Sequence, residues 1–199
     1  MTTTTRIEAG ANVRNVHGIP GLSLLTGAVP AEGAARILSS LQNEAWKRWQ
    51  RRRGFLQQDF GFEYDYTSRG ASRTVAIPDE IKALFPAVRE AGWTGPDPTQ
   101  VSAILYPTGG HLGVHIDSDA FGPEVGGISL ETEWPIRFSR YRQGDYEDIP
   151  LPVLSAYVMR QDARERWYHQ IRPCWRGERV SLTFRTMSPG THQPWKRKQ

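Results

Sequence analysis

Two segments with helical spacing precede a series of short strands in the hydrophobic pattern of the chain. Pro30 suits the first position of a helix, and in the segment that follows it Ile37, Leu38 and Leu41 fall on one stripe. A second segment of helical spacing covers residues 77–93 and has two acidic residues in its first turn. The pattern therefore predicts two amphipathic helices in the N-terminal half.

From residue 99 onward the pattern changes to short strands between turns. The predicted strands are VSAILY, LGVHI, GGISL, WPIRFSR, LSAYVM, RWYHQI and RVSLTF. Evenly spaced short strands that end in turn residues are typical of a sandwich or a jelly roll. Two helices followed by such a block predict an α+β domain, with a jelly-roll core and two N-terminal supporting helices.

An alternating aromatic segment lies between the two helical segments. Phe60, Phe62, Tyr64 and Tyr66 occupy every second position, which predicts one strand with all four rings on one face. The segment follows KRWQRRR, residues 47–53, the densest positive cluster of the chain. An aromatic strand is more often part of a core than a binding platform, and a charged run is usually a solvated face, so these alternatives stay open.

Length and composition indicate a single folded domain. The 199 residues fit one sizeable core, with a flexible leader expected over residues 1–19 and a basic tail over 189–199. The single cysteine, Cys174, excludes an internal disulfide framework and fits a reducing compartment. We find neither a run of membrane-spanning length nor a secretory signal, so we expect a soluble intracellular protein, cytoplasmic or nuclear, with no membrane partner. No obligate protein partner is evident from the sequence.

The charge balance is compatible with an anionic partner. The net charge is +4 and the sequence pI is about 9.4, and most of the basic residues are arginine. The planar arginine fork suits carboxylates and phosphates and stacks on flat rings. Basic balance alone is a weak signal for nucleic acid, because many mildly basic proteins have no such partner.

The run HLGVHIDSD, from His111 to Asp119, supplies candidate metal ligands. His115 and Asp117 are two apart on a predicted strand, so both side chains leave the same face. Non-haem Fe(II) oxygenases hold their ion with two histidines and one carboxylate, and His169 is the candidate for the third ligand. Four residues at about 3.3 Å each place His111 roughly 13 Å from His115, so we expect it at the rim or surface. The alternative is a simple hydrogen-bonded pair of His115 and Asp117 at a strand end.

The last predicted strand carries two arginines on one face. Arg179 and Arg185 are six positions apart, and Val180, Leu182 and Phe184 face the opposite side. Arginines on an inward face need anions, because an unpaired buried charge is costly. A bound dicarboxylate meets that need, and structural salt bridges to Asp or Glu meet it equally well.

The ordered set Y-P-x-G, H-x-D, a distal H and R-x-x-L-T-F-R resembles the AlkB family of Fe(II)- and 2-oxoglutarate-dependent dioxygenases. The resemblance covers about residues 21–185 and implies a double-stranded β-helix domain over residues 20–188. RRRGFLQQDFGFEYDY resembles the substrate lid of this family, at about residues 46–75. HIDSDAFGPEVGGISL is most similar to the branch that contains the eukaryotic tRNA-modifying homologues and related bacterial proteins.

The resemblance implies roles for matching positions, with Fe(II), 2-oxoglutarate and O2 as cofactor and co-substrates. The implied Fe(II) ligands and catalytic centre are His115, Asp117 and His169. The implied contacts to 2-oxoglutarate are Arg179 at the distal carboxylate, Arg185 at the carboxylate nearer the metal, Tyr106 and Ser181. Two positions depart from the family pattern, because Ile104 and Ser181 stand where the family has asparagines that assist 2-oxoglutarate binding.

The implied partner is single-stranded or flipped-out nucleic acid, either DNA or RNA, because a base inside a duplex cannot reach such a pocket. Rings that stack on a base and cations that meet phosphates are the expected equipment. Asp119 matches a position that contacts the target base in the bacterial founding member of the family. The other candidate substrate contacts are Trp46, Trp49, Arg51, Arg53, Phe62 and Tyr64.

Three functions remain open at the level of the sequence. The first is oxidative demethylation of N-alkylated nucleobases, with release of formaldehyde, succinate and CO2. The second is hydroxylation of a modified tRNA base, a protein or a small molecule by a member of the same family. The third is a non-catalytic jelly roll that binds nucleic acid and has a vestigial metal site.

Overall fold

The computed structural model describes residues 10–42, 49–65, 67–173 and 175–189. Its strands are β1 (Asn12–Arg14), β2 (Leu22–Leu25), β3 (Gln50–Arg52), β4 (Phe55–Phe60), β5 (Phe62–Asp65), β6 (Gly70–Arg73), β7 (Gln100–Tyr106), β8 (Leu112–His115), β9 (Phe121–Ser129), β10 (Ile136–Ser139), β11 (Tyr146–Ile149), β12 (Ala156–Met159), β13 (Tyr168–Ile171) and β14 (Arg179–Met187). The helices are α1 (Ala31–Gln42), α2 (Asp79–Lys82), α3 (Phe85–Glu90) and α4 (Gln161–Glu165), together with one 3-10 turn over Val16–Gly18.

Two antiparallel sheets form the jelly roll. The larger sheet has the strand order β1-β2-β12-β9-β14-β7-β4-β3, and the smaller sheet has the order β11-β10-β13-β8. Strands β5 and β6 form a separate hairpin. Strand β8 lies at the edge of the smaller sheet and pairs with β13 alone among the described strands. The α+β class and the double-stranded β-helix predicted from the sequence are confirmed.

Apolar side chains fill two cores on opposite faces of the larger sheet. Between the sheets, the buried residues include Leu22, Leu24, Tyr106, Val125, Trp134, Ile136, Phe138, Ile149, Met159 and Ile171. On the other face, the sheet packs against helices α1 to α3, with Ala34, Ile37, Leu41, Ile81, Val88, Val101, Ile128, Val158, Leu182 and Phe184 among the buried residues. Each fully buried Leu or Phe side chain contributes roughly 1.5–3 kcal/mol. The helices therefore support the sheet that carries β14.

Strand β14 divides its side chains between the two faces as its alternation predicts. Val180, Leu182 and Phe184 belong to the core beneath the helices. Arg179 and Arg185 line a cavity on the other face, between the sheets. This alternation places two charged side chains inside the jelly roll.

The predicted helix over residues 77–93 is interrupted in the structure. It forms two short helices, α2 and α3, with a break at Ala83 and Leu84. Pro86 is the second residue of α3, where a proline without an N–H is tolerated but cannot continue the hydrogen bonding of a preceding helix. The predicted single helix is therefore wrong in its continuity.

The alternating aromatic segment is not one strand. Strand β4 ends at Phe60 in the larger sheet, and β5 begins at Phe62 in the separate hairpin. Between them Gly61 has a φ of 78°, and a Cβ at this position would collide with the carbonyl of Thr99. Phe60 therefore packs in the helix-side core, whereas Tyr64 packs against Phe121. The prediction that all rings share one face is wrong, and Tyr66 lies outside the described residues.

The sequence also missed several strands. Residues 12–14, expected in a flexible leader, pair as β1 with β2, and β11 pairs with β10. The remainder of the predicted leader, residues 1–9, and the tail after residue 189 lie outside the described residues. Within the described part of the chain, no helix combines the length and the apolar character needed to cross a membrane.

Candidate metal centre

His115, Asp117 and His169 converge on one point inside the jelly roll. The candidate ligand atoms of the three side chains all lie within 4.8 Å of one another. His169 on β13 is the direct cross-strand partner of His115 on β8, and their ring centroids lie 4.2 Å apart. Asp117 follows β8 by two residues and is 5% exposed. Strand pairing thus brings together residues that are more than fifty positions apart in the chain.

The imidazole of His115 has a defined tautomer and is neutral at physiological pH. Its Nδ1 lies 2.8 Å from the carbonyl oxygen of Gly113, which can only accept, so Nδ1 carries the proton and Nε2 keeps its lone pair. Burial, reinforced by the neighbouring His169, lowers the pKa of His115 to about 4. Nε2 is therefore able to bind a cation without first losing a proton.

The Asp117 carboxylate is ionised, and hydrogen bonds from Arg185 fix its orientation. Burial acts to raise its pKa, but the Arg185 guanidinium and the His169 imidazole hold that pKa well below the usual value for an aspartate. Oδ1 accepts hydrogen bonds from Arg185 Nη2 at 2.9 Å and Nε at 3.2 Å. Oδ2 is buried, has no hydrogen-bond partner among the described residues, and lies 3.3 Å from His169 Nε2. Asp117 Oδ2 and His169 Nε2 are thus placed as they would be if both faced one cation.

Arg179 carries a buried guanidinium that has no anionic partner among the residues that the structure describes. It is 2% exposed, and its Nη1 and Nη2 donate to the Ser181 and Ser129 hydroxyls at 2.8 and 3.1 Å. Within the described ranges, its Nε has no hydrogen-bond partner and no carboxylate forms an ion pair with the guanidinium. The guanidinium lies 5.4 Å from the ring centroid of Tyr106, and burial lowers the pKa of Arg179. A buried charge in this state calls for an anion.

An internal cavity connects these residues. Its volume is about 30 Å³, and its lining includes His115, Asp117, His169, Arg179, Arg185, Tyr106, Ser181, Ile104 and Tyr157. A larger open cleft of about 560 Å³ adjoins it and shares His115, Arg185, Ile104 and Leu112 with it. The cavity and the cleft therefore meet at the histidine and aspartate cluster.

A polar network that the sequence did not reveal backs the cleft. The buried Asp59 carboxylate accepts hydrogen bonds from Ser102 Oγ, Gln57 Nε2 and Gln100 Nε2. Arg185 Nη1 in turn donates to Gln100 Oε1 at 3.4 Å. Gln100 and Ser102 share the strand parity of Tyr106 on β7, so the period-two pattern contained a signal for them. Asp59 had no such signal, because two of its partners, Ser102 and Gln100, come from another strand.

Of three aromatic residues predicted to contact substrate, the structure places one in the wall of the cleft and two elsewhere. Tyr64 lines the cleft, together with Arg52 and Phe55. Phe62 is buried beneath Arg73, whose guanidinium lies 5.2 Å from its ring centroid, and it does not line the cleft. Trp49 packs against the helix-side core, and the roles of Phe62 and Trp49 in substrate binding stay predictions.

The other predicted contacts that the structure describes, Arg51, Arg53 and Asp119, do not line the cleft. Arg51 and Arg53 are exposed on the β3–β4 hairpin, and neither pairs with a carboxylate of the described chain. Asp119 is exposed, and its backbone carbonyl accepts a hydrogen bond from Ser188. His111 is half-buried near the hairpin glycine Gly54. Trp46 lies outside the described residues.

Solved structures share the fold at low sequence identity. The structure of OsALKBH1 has a TM-score of 0.65 and 16% identity, with 84% of this chain and 98% of that chain covered. A Pseudomonas putida prolyl-4-hydroxylase has a TM-score of 0.57 and 17% identity, with 86% and 95% covered. A Trichoplax adhaerens prolyl hydroxylase, in complex with a hypoxia inducible factor peptide, has a TM-score of 0.62 and 13% identity, with 89% and 88% covered. These likenesses show the fold alone.

Sequence comparison places the chain in a family. No curated protein matches it. The family model of the 2OG-Fe(II) oxygenase superfamily matches residues 24–185, which include the strands that carry the histidine and aspartate cluster and both inward arginines. The chain belongs to the 2OG-Fe(II) oxygenase superfamily.

Proposed function

We propose that this oxygenase removes alkyl groups from the nitrogens of nucleobases in single-stranded or flipped-out DNA or RNA. The observation that carries the proposal is the cleft that opens directly onto His115, with the ring of Tyr64 and the guanidinium of Arg52 in its walls. Beside it, Arg51 and Arg53 are exposed and without carboxylate partners in the described chain. Flat rings next to unpaired arginines suit a base and its flanking phosphates.

The donor set fits the Fe(II) that the superfamily uses. Two imidazole nitrogens and one carboxylate oxygen form the facial arrangement typical of such iron sites. The buried Oδ2 of Asp117 accepts no hydrogen bond within the described part of the chain, and an ion would satisfy it. His115, Asp117 and His169 are the proposed ligands. Bound iron, with 2-oxoglutarate and O2, supplies the oxidation of a substrate C–H bond, coupled to formation of succinate and CO2.

Arg179 and Arg185 interact with carboxylates around the proposed ion site. Arg179 offers its buried guanidinium to the distal carboxylate of 2-oxoglutarate, with Tyr106 beside it. Its orientation comes from the hydroxyls of Ser181 and Ser129, so Ser181 acts through Arg179 in place of the asparagine of the resembling family. Arg185 is already engaged with Asp117, and its first role is to orient that ligand.

A hydroxylated N-methyl group explains how the alkyl group leaves. Once oxygen is inserted, the N–CH2–OH unit breaks at its C–N bond, the nitrogen takes up the hydroxyl proton, and formaldehyde departs. The chain's contribution is positional, because it keeps the target carbon near the ion and limits water in the cavity. The half-buried walls of the cleft both position the target carbon and limit the access of water.

Mass spectrometry of methylated oligonucleotides tests the proposal. We expect the wild-type chain, with Fe(II) and 2-oxoglutarate, to cause loss of a methyl mass and release of formaldehyde. His115→Ala should abolish both succinate formation and demethylation. A stable gain of one oxygen indicates hydroxylation instead, and turnover on proline-containing peptides alone indicates a protein substrate. Absence of any succinate formation would leave the non-catalytic jelly roll.

The hairpin arginines provide a separate test of the nucleic-acid partner. We expect Arg51→Gln with Arg53→Gln to weaken binding of a fluorescent single-stranded oligonucleotide and to reduce its salt dependence by about one unit of slope for each phosphate that is no longer neutralised. A matched control is Arg36→Gln with Arg142→Gln, which removes the same charge from exposed positions on α1 and between β10 and β11. Equal weakening in both double variants would count against a defined phosphate contact.

A further inference from the structure

Arg164 is a second buried arginine close to the metal centre, and the roles described above do not use it. It lies on α4 and is 4% exposed. No carboxylate of the described residues forms an ion pair with its guanidinium. Burial lowers its pKa, as expected for a charge removed from water. Such a residue is costly to keep, so its contacts indicate what it provides.

Every hydrogen bond that the Arg164 guanidinium makes to the described residues ends on one loop. Nη1 donates to the carbonyl oxygen of Asp117 at 3.1 Å. Nη2 donates to the carbonyl oxygens of Ser118 and Phe121 at 2.9 and 3.3 Å. The loop itself closes through a hydrogen bond from the Phe121 N–H to the Ser118 carbonyl. One planar fork therefore fixes the backbone of residues 117–121 at three points.

Two arginines consequently hold Asp117 from different directions. Arg185 holds carboxylate Oδ1, and Arg164 holds the backbone carbonyl of the same residue. With both ends of the residue fixed, the direction of Oδ2 toward His169 is determined. Neither arginine alone specifies that direction, because a side chain held only at its tip still moves with its backbone.

The position of Arg164 in the chain adds a second connection. It stands five residues before His169, and the intervening segment leads from α4 directly into β13. The loop that it holds follows β8, which carries His115. The side chain thus joins the segment that presents one histidine to the loop that follows the other.

We propose that Arg164 is a positioning residue for iron binding, which holds the backbone of the loop 117–121 so that Asp117 meets the ion together with both histidines. The inference rests on the metal role in the proposed function and is independent of the substrate. Contacts of this kind outside the ligand set affect metal affinity about 10- to 100-fold when removed.

Variants at position 164 separate charge from geometry. Arg164→Lys keeps a positive charge but replaces the planar fork with a single ammonium group. Arg164→Met removes the charge and keeps a long apolar side chain. Arg166→Lys is the matched control, because Arg166 follows the same helix, is 63% exposed at its side chain and pairs only with Asp162 among the described residues. If Arg164→Met does not fold, Arg164→Lys carries the test alone.

Two measurements are made on each folded variant, well below its unfolding temperature. Calorimetric titration with Fe(II) under argon should give a dissociation constant about 10- to 100-fold higher than wild type for both position-164 variants, and an unchanged value for Arg166→Lys. Hydrogen exchange of the metal-free chain should be faster in the peptide that covers residues 117–121, with the remaining sheet unaffected.

The outcomes discriminate among the possibilities. An unchanged Fe(II) dissociation constant in a folded position-164 variant would overturn the proposal, as would faster exchange spread over the whole sheet with Fe(II) binding intact. A wild-type chain that does not bind Fe(II) overturns this proposal and the proposed function together. A wild-type chain that binds Fe(II) but leaves oligonucleotides unmodified contradicts only the proposed substrate.

Discussion

At the scale of single residues, three arginines have different roles in a small volume. Arg185 neutralises and orients a carboxylate, Arg164 holds a backbone, and Arg179 lacks an anion among the described residues. The cost of burying a guanidinium is similar in each case, so the difference lies in what each one contacts. The unmatched charge of Arg179 makes it the most direct indicator of a ligand.

Replacement of Arg179 should therefore affect the co-substrate before anything else. We expect Arg179→Gln to raise the KM for 2-oxoglutarate about tenfold or more, because the variant has no charged and directional partner for a carboxylate. Succinate formation at varied 2-oxoglutarate concentrations measures the effect. Arg172→Gln, at an exposed position, should leave that KM unchanged. An unaltered KM in Arg179→Gln would assign the distal carboxylate to another group.

The buried carboxyl of Asp59 should make stability depend on pH. Burial raises its pKa above the ordinary value of 3.8, although hydrogen bonds from Ser102 and Gln57 act to lower it. A carboxyl with a raised folded-state pKa stabilises the fold while protonated, and that contribution disappears as the pH rises through the folded-state pKa. Asp59→Asn should thus raise the thermal midpoint relative to wild type at neutral pH, with a smaller difference near pH 4. A pH-independent difference would contradict this reasoning.

At the scale of elements, the link between β4 and β5 depends on a single glycine. Gly61 has a φ of 78° and approaches the Thr99 carbonyl too closely for a side chain. Gly61→Ala should lower the free energy of unfolding by more than about 1 kcal/mol, since an alanine there is both strained and obstructed. Urea denaturation measures the change. Gly33→Ala within α1 has room for a methyl group and should be neutral or stabilising.

Prediction from side-chain alternation succeeded on β14 and failed across Gly61. The alternating pattern correctly placed Arg179 and Val180 on opposite faces of β14, because successive side chains of a regular strand point to opposite faces of its sheet. Alternation failed across Gly61, since a residue that permits positive φ also permits the chain to leave one sheet for another. Arg164 and Ser129 gave no signal, because their partners are brought to them only by the folded chain.

At the scale of the whole molecule, ligand binding should stabilise the fold by mass action. The candidate ligands come from β8, its following loop and β13, so an ion bound by all three favours the folded chain. At a concentration one hundred times its dissociation constant, a ligand adds about 2.7 kcal/mol, which is roughly 5 to 10 °C for a chain of this size. Differential scanning fluorimetry with Fe(II) or Mn(II) and 2-oxoglutarate should show this shift, and His115→Ala should not. An identical shift in both chains would indicate binding elsewhere.

The edge position of β8 has a consequence for how the ion is released. This four-residue strand has β13 as its one described hydrogen-bonded neighbour, and it ends at His115. Peripheral strands fray by small openings that leave the rest of a protein intact. The ion should therefore dissociate at the rate at which the edge strand β8 opens, and chelators should remove the ion long before the chain unfolds.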